Sequence, residues 1–163
     1  LAGTDIAAGL LLAVLACALA FLGRRAAFAG AGIAAAGTLT AALFIGPVPA
    51  DIALAGCWIS VAIASLGVFW PRYPQLLVAG SLLFSAFAGL CAGLVLGQPD
   101  AGSHPLTVLA ILPLVLAPAM LCIGRGWDIA PRILTSWLLS VAMLVGAIPY
   151  LVDHPGYVPD HRM

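Results

Sequence analysis

The stretch QLLVAGSLLFSAFAGLCAGLVLG, Gln75 to Gly97, carries no charge and is closed by Gly97-Gln98-Pro99-Asp100. A helix needs about 20 mostly apolar residues to cross a bilayer's hydrocarbon core, and this stretch meets that requirement. Within it Ser81, Ser85, Gly89, Gly93 and Gly97 recur at intervals of four. Residues four apart share a helix face, so one face of this helix carries almost no side chain. In lipid, where apolar side chains gain nothing by leaving solvent, small residues let helix backbones approach and supply packing contacts. The expectation is a membrane helix with a packing or docking face along Ser81, Ser85, Gly89, Gly93 and Gly97.

Five more apolar runs flank it, giving spans at about 5–22, 26–46, 50–70, 75–97, 105–123 and 132–152. The breaks are Gly23-Arg24-Arg25, Gly46-Pro47-Val48-Pro49, Pro71-Arg72-Tyr73-Pro74, Gln98-Pro99-Asp100 and Gly124-Arg125-Gly126-Trp127. Each joins Gly or Pro to a charge or a turn position. The expected fold is an all-α integral membrane protein: one compact domain of six transmembrane helices over residues 1–163, very short loops, and a short outward tail at 153–163.

The whole composition agrees. Of 163 residues 64% are hydrophobic and 7% charged, against roughly 25% charged in soluble domains. Net charge is zero, which speaks against nucleic acid as a partner. No glycine-rich phosphate loop follows a strand, so no nucleotide is expected. Lys, Glu and Asn are absent, which removes lysine nucleophiles and Schiff bases.

Orientation follows from the arginines. Arg24, Arg25, Arg72, Arg125 and Arg132 share one side of a six-span chain, while Asp5, Asp51, Asp100, Asp153 and Asp160 fall on the other. The positive-inside rule makes the arginine side cytoplasmic and both termini periplasmic, in a bacterial inner membrane. The chain starts with Leu1, consistent with an alternative start or a processed end.

Pro113 and Pro118 each remove a backbone donor from the fifth span, which predicts a kink. The second span repeats the small-residue pattern twice, as Gly30, Ala34, Thr38 and as Gly32, Ala36, Thr40. Thr38, Thr40, Ser60, Ser65, Ser81, Ser85, Ser136 and Ser140 supply hydroxyls within the spans, bonded to their own helices or across to another. Cys17, Cys57, Cys91 and Cys122 fall in different spans and are expected as small apolar residues. Asp51, just after Pro49, is placed to cap the third span, and Asp128 lies four residues before Arg132, at ion-pair spacing. Trp70, Tyr73, Trp127, Tyr150 and Tyr157 fall at the boundaries as an aromatic belt.

No Asp, Arg or His sits mid-span, which argues against a carboxylate proton path or bis-histidine haem. The candidate metal ligands are His104, His154 and His161 with Asp100, Asp153 and Asp160, all at the outer rim. No cofactor is predicted. The expected partners are the bilayer and other membrane subunits or further copies of this chain. The expected role is a non-catalytic accessory or structural subunit of a multi-subunit inner-membrane complex, docking through small-residue helix faces. Two alternatives are a channel or transporter for a small neutral or weakly polar solute, and a periplasmic-rim His/Asp metal or catalytic site.

Overall fold

A computed structural model describes residues 2–46, 48–69, 74–99, 101, 102 and 104–151, and these are helical with no strand. The helices are α1 (Ala2–Ala20), α2 (Arg24–Phe44), α3 (Ala50–Phe69), α4 (Pro74–Leu96), α5 (Pro105–Leu109), α6 (Ile111–Gly124) and α7 (Ile129–Leu151). Five spans are long and apolar enough to cross a membrane: α2, α3, α4, α5 with α6, and α7. In α1 the apolar run Asp5–Ala20 is shorter.

Helix α1 occupies the axis of the bundle. It touches α2, α3, α4, α5, α6 and α7, while the outer helices contact one another in the order α2, α4, α3, α7, α6, with α6 meeting α2 again. Its Leu11, Leu12, Val14, Leu15, Cys17 and Leu19 are fully buried. A helix apolar on every side has no face suited to water and is stable only when surrounded.

The outer helices invert the usual soluble pattern. Inward they present Ala34, Ala41, Ala53, Ala64, Ala88 and Ala92 with buried Ser and Thr, and outward they present Phe44 (81% exposed), Leu83 (76%) and Trp137 (71%). In water an outward shell of Phe, Ile, Leu and Trp would be a strong association liability, but in hydrocarbon it costs nothing.

The closest pair is α2 with α4, and it brings the two sequence stripes together in register. A Cβ added to Gly89 would strike the Ala34 carbonyl oxygen, and one added to Gly93 would strike that of Thr38. A Cβ added to Gly97 would lie 3.2 Å from Cα and O of Ala42, and one added to Gly30 would lie 3.2 Å from the Ser85 hydroxyl. The pairs 30–85, 34–89, 38–93 and 42–97 keep a constant offset, so the two helices run parallel. At Gly89 and Gly93 the glycine hydrogen that replaces the Cβ points at a carbonyl oxygen, the arrangement of Cα–H···O contacts between close helices.

The fifth span differs from a single kinked helix. It breaks at Ala110 into α5 and α6, one turn before Pro113, which has no N–H to offer the Leu109 carbonyl. Leu114 N resumes the ladder to Ala110 O at 3.3 Å. Pro118 lies within α6 without interrupting it.

Asp51 does not cap α3 as expected. The amides of Ile52 and Ala53 donate instead to the Pro49 carbonyl at 3.0 and 3.2 Å, leaving Asp51 exposed in the first turn. The α6 end is a Schellman turn: Trp127 N donates to Cys122 O at 2.8 Å and Gly126 N to Ile123 O at 3.0 Å. Gly126 takes a φ of 79°, a conformation an L side chain rarely adopts.

Gly89→Leu is expected to destabilise the bundle by about 1–3 kcal/mol or more, because backbone rather than a flexible side chain stands in the way. Gly67→Ala, where an added Cβ meets nothing within 4 Å, is expected to be neutral or slightly stabilising. Denaturant titration of the two variants in detergent micelles checks the contrast.

Candidate functional site

The interior hydroxyls turn back on their own helices. Thr38 donates to Ala34 O at 2.9 Å, Ser60 to Gly56 O at 2.7 Å, Ser65 to Val61 O at 2.8 Å, Ser85 to Ser81 O at 2.7 Å and Thr135 to Pro131 O at 2.8 Å. Each acceptor is four residues upstream, so the hydroxyl is satisfied without leaving the helix. All four cysteines are free thiols, and Cys17, Cys57 and Cys91 are buried.

Thr135 is a buried polar residue that the sequence reading passed over, while Ser136, Ser140 and Thr40 face outward. The reason is helical phase. On α7 the inward positions are Pro131, Thr135 and Ala142 with Leu138 and Leu139 partly covered, which puts Ser136 and Ser140 outside. Trp58 of α3 also joins the core region, its indole 3.5 Å from where a Cβ on Gly146 of α7 would lie.

The two stripes of α2 part company. Gly30, Ala34 and Thr38 are buried against α4, and Gly32, Ala36 and Thr40 are exposed. A Cβ added to Gly32 would meet nothing within 4 Å. Ser140 on α7 returns its hydroxyl to Ser136 O at 3.0 Å, but the Thr40 hydroxyl has no hydrogen-bond partner among the described residues. On the α4 stripe, Gly89, Gly93 and Gly97 face α2, and Ser85 lies buried beside Gly30. Ser81 is partly covered and its carbonyl accepts the Ser85 hydroxyl.

At the end where α1 begins and α4 finishes, Gln98 is the organising side chain. Its Nε2 donates to Val48 O at 2.8 Å in the α2–α3 loop and to Leu94 O at 3.2 Å. His104 caps α5, its Nδ1 accepting from Leu106 N at 3.3 Å. Asp5, partly buried in the first turn of α1, lies beside Gly102; its Oδ1 is buried without a hydrogen-bond partner. Of the rim ligand candidates, Asp100, Asp153, His154, Asp160 and His161 lie outside the described residues. Among the described residues no three His, Cys, Asp or Glu side chains come together as a metal-ligand group.

At the opposite end, Asp128 and Arg132 form the expected i, i+4 pair at 3.6 Å, and the Arg132 guanidinium also lies 5.7 Å from the centroid of the Phe21 ring. Comparison with protein families, characterised proteins and solved structures found no match to this chain.

Gln98→Met is expected to cost about 1–3 kcal/mol by leaving the Val48 carbonyl without its donor. Gln98→Glu is expected to cost more at pH 8, where a carboxylate faces two carbonyl oxygens, and to approach the Met variant as acid protonates it. Thermal melts across pH for the two variants test this; equal behaviour at pH 8 would contradict the role given to Nε2.

Proposed function

We propose that this protein is a non-catalytic accessory subunit of a larger assembly in a bacterial inner membrane. In this reading it crosses the membrane six times with both termini outside, and its arginine-rich end is cytoplasmic. The observation that carries the reading is the outward stripe Gly32, Ala36, Thr40 of α2. It has the same residue types and spacing as the Gly30, Ala34, Thr38 stripe beside it, which packs on α4, yet among the described residues nothing covers it.

Two properties favour a partner helix over lipid there. The stripe is shallow, so another backbone can approach it closely. Among the described residues the Thr40 hydroxyl has no hydrogen-bond partner, and a neighbouring helix can supply one. Docking is therefore assigned to this face of α2 and not to the α4 stripe, whose Gly89, Gly93 and Gly97 are already in contact with α2.

The channel alternative is less well supported. The bundle axis, where a solute path would run, is filled by the leucines of α1, and the buried hydroxyls are spent on their own helices.

The test is gentle extraction from the native membrane followed by native mass spectrometry, comparing the natural chain with Gly32→Leu. The natural chain is expected in a defined assembly with other subunits. Gly32→Leu is expected to fold normally, since its Cβ meets open space, and to be released from that assembly. A natural chain that runs alone or only with copies of itself would overturn the reading, as would solute flux in liposomes containing it alone.

A further inference from the structure

We infer that the arginine end of the bundle binds the phosphate of an anionic phospholipid, held between the α1–α2 turn and the start of α7. The two segments are adjacent: the Arg132 guanidinium from the first turn of α7 lies over the Phe21 ring in the α1–α2 turn. Arg24 and Arg25 open α2 immediately after that turn, and Arg125 closes α6 immediately before α7. Four guanidinium groups therefore belong to this end, and Asp128 is the one carboxylate described there.

The internal charge balance is incomplete. Asp128 reaches only Arg132, through one amino group at 3.6 Å. Among the described residues the Arg132 Nε is buried without an acceptor, and Arg24, Arg25 and Arg125 are exposed with no ion pair. Two cations also begin α2, where the helix dipole disfavours positive charge, and Gly23 supplies no side-chain acceptor to offset it. An anion at this place would offset the charge of the exposed guanidinium groups and the unfavourable dipole position of Arg24 and Arg25 together.

Position selects the anion. The arginines sit at the ends of spans whose exposed residues include Phe28, Ile129 and Ile133, and Trp127 beside Asp128 is exposed too. That is the depth of lipid headgroups and interfacial tryptophan. A diester phosphate anchored by its own acyl chains against these apolar residues meets both the charge and the surface, and guanidinium forks suit its oxygens. A soluble phosphate would use only the charge.

The experiment compares the natural chain with Arg132→Gln and with Arg24→Gln/Arg25→Gln, each in nanodiscs of phosphatidylcholine mixed with phosphatidylglycerol. Native mass spectrometry of the released protein counts retained lipid. The natural chain is expected to retain phosphatidylglycerol in preference to phosphatidylcholine, and each arginine removed is expected to lower that preference about fivefold. Arg24 and Arg25 are exposed, so their double variant reports on binding even if Arg132→Gln impairs folding. Asp51→Asn, at the opposite end, is the control and should change nothing. Equal retention of the two lipids, or unchanged preference in the double variant, would overturn the proposal. Displacement of bound lipid by millimolar inorganic phosphate would likewise overturn it in favour of a soluble anion.

Discussion

The bundle depends on backbone-to-backbone fit between α2 and α4. Lipid tails are as apolar as Leu, so burying Leu between helices in a bilayer gains little that lipid would not provide. What lipid cannot do is follow a helix surface at the distance allowed by Gly89 on Ala34 and Gly93 on Thr38. Once these two helices are locked in parallel register, α3 and α6 can close on either side of them. The remaining groove is filled by α1, whose leucines supply the bulk that the small residues of the outer ring leave out. Small residues between outer helices and large ones at the centre are thus two halves of one solution.

Polar groups follow the same constraint. Each buried hydroxyl is held by a carbonyl one turn earlier on its own helix, as the hydrocarbon core of a bilayer requires. The groups left without partners are therefore informative. Thr40 points outward from α2, Arg132 Nε lies at the arginine-rich rim, and Asp5 Oδ1 lies at the other rim. Thr40 lies on a surface suited to a helix, and the exposed arginines around Arg132 form one suited to a phosphate, which is why function is sought at the periphery of the bundle and not along its axis.

Much of this architecture was legible in residue order. Apolar runs separated by Gly-Arg-Arg, Pro-Arg-Tyr-Pro and Gln-Pro-Asp mark the helices to within a few residues, since the cost of a charge in hydrocarbon is large and local. The stripes on spans two and four were legible too, because spacing by four fixes a face. Their pairing was not. Gly30, Ala34, Thr38 and Gly32, Ala36, Thr40 have the same composition and periodicity, and only tertiary packing decides that one meets α4 and the other faces outward. Nor did spacing reveal α1 as the axis: a helix apolar all round has no periodic face from which to read its neighbours. Thr135 and Ser136 are adjacent and chemically alike, so their opposite fates rest on helix phase alone. The candidate site was less legible, because the outward setting of Thr40 and the placement of Arg132 over the Phe21 ring come from tertiary packing, which no motif records.

Depth-resolved labelling of the reconstituted protein with a lipid-dissolved carbene reagent, mapped by peptide mass spectrometry, addresses this arrangement most directly. The account predicts strong labelling on α2, α3, α4, α6 and α7, led by outward residues such as Phe44, Leu83, Leu114, Trp137 and Met143. It predicts almost none between Leu11 and Leu19, because α1 is enclosed by the other helices. Labelling of α1 as strong as that of α7 would place it against lipid and contradict the architecture on which the functional reading stands.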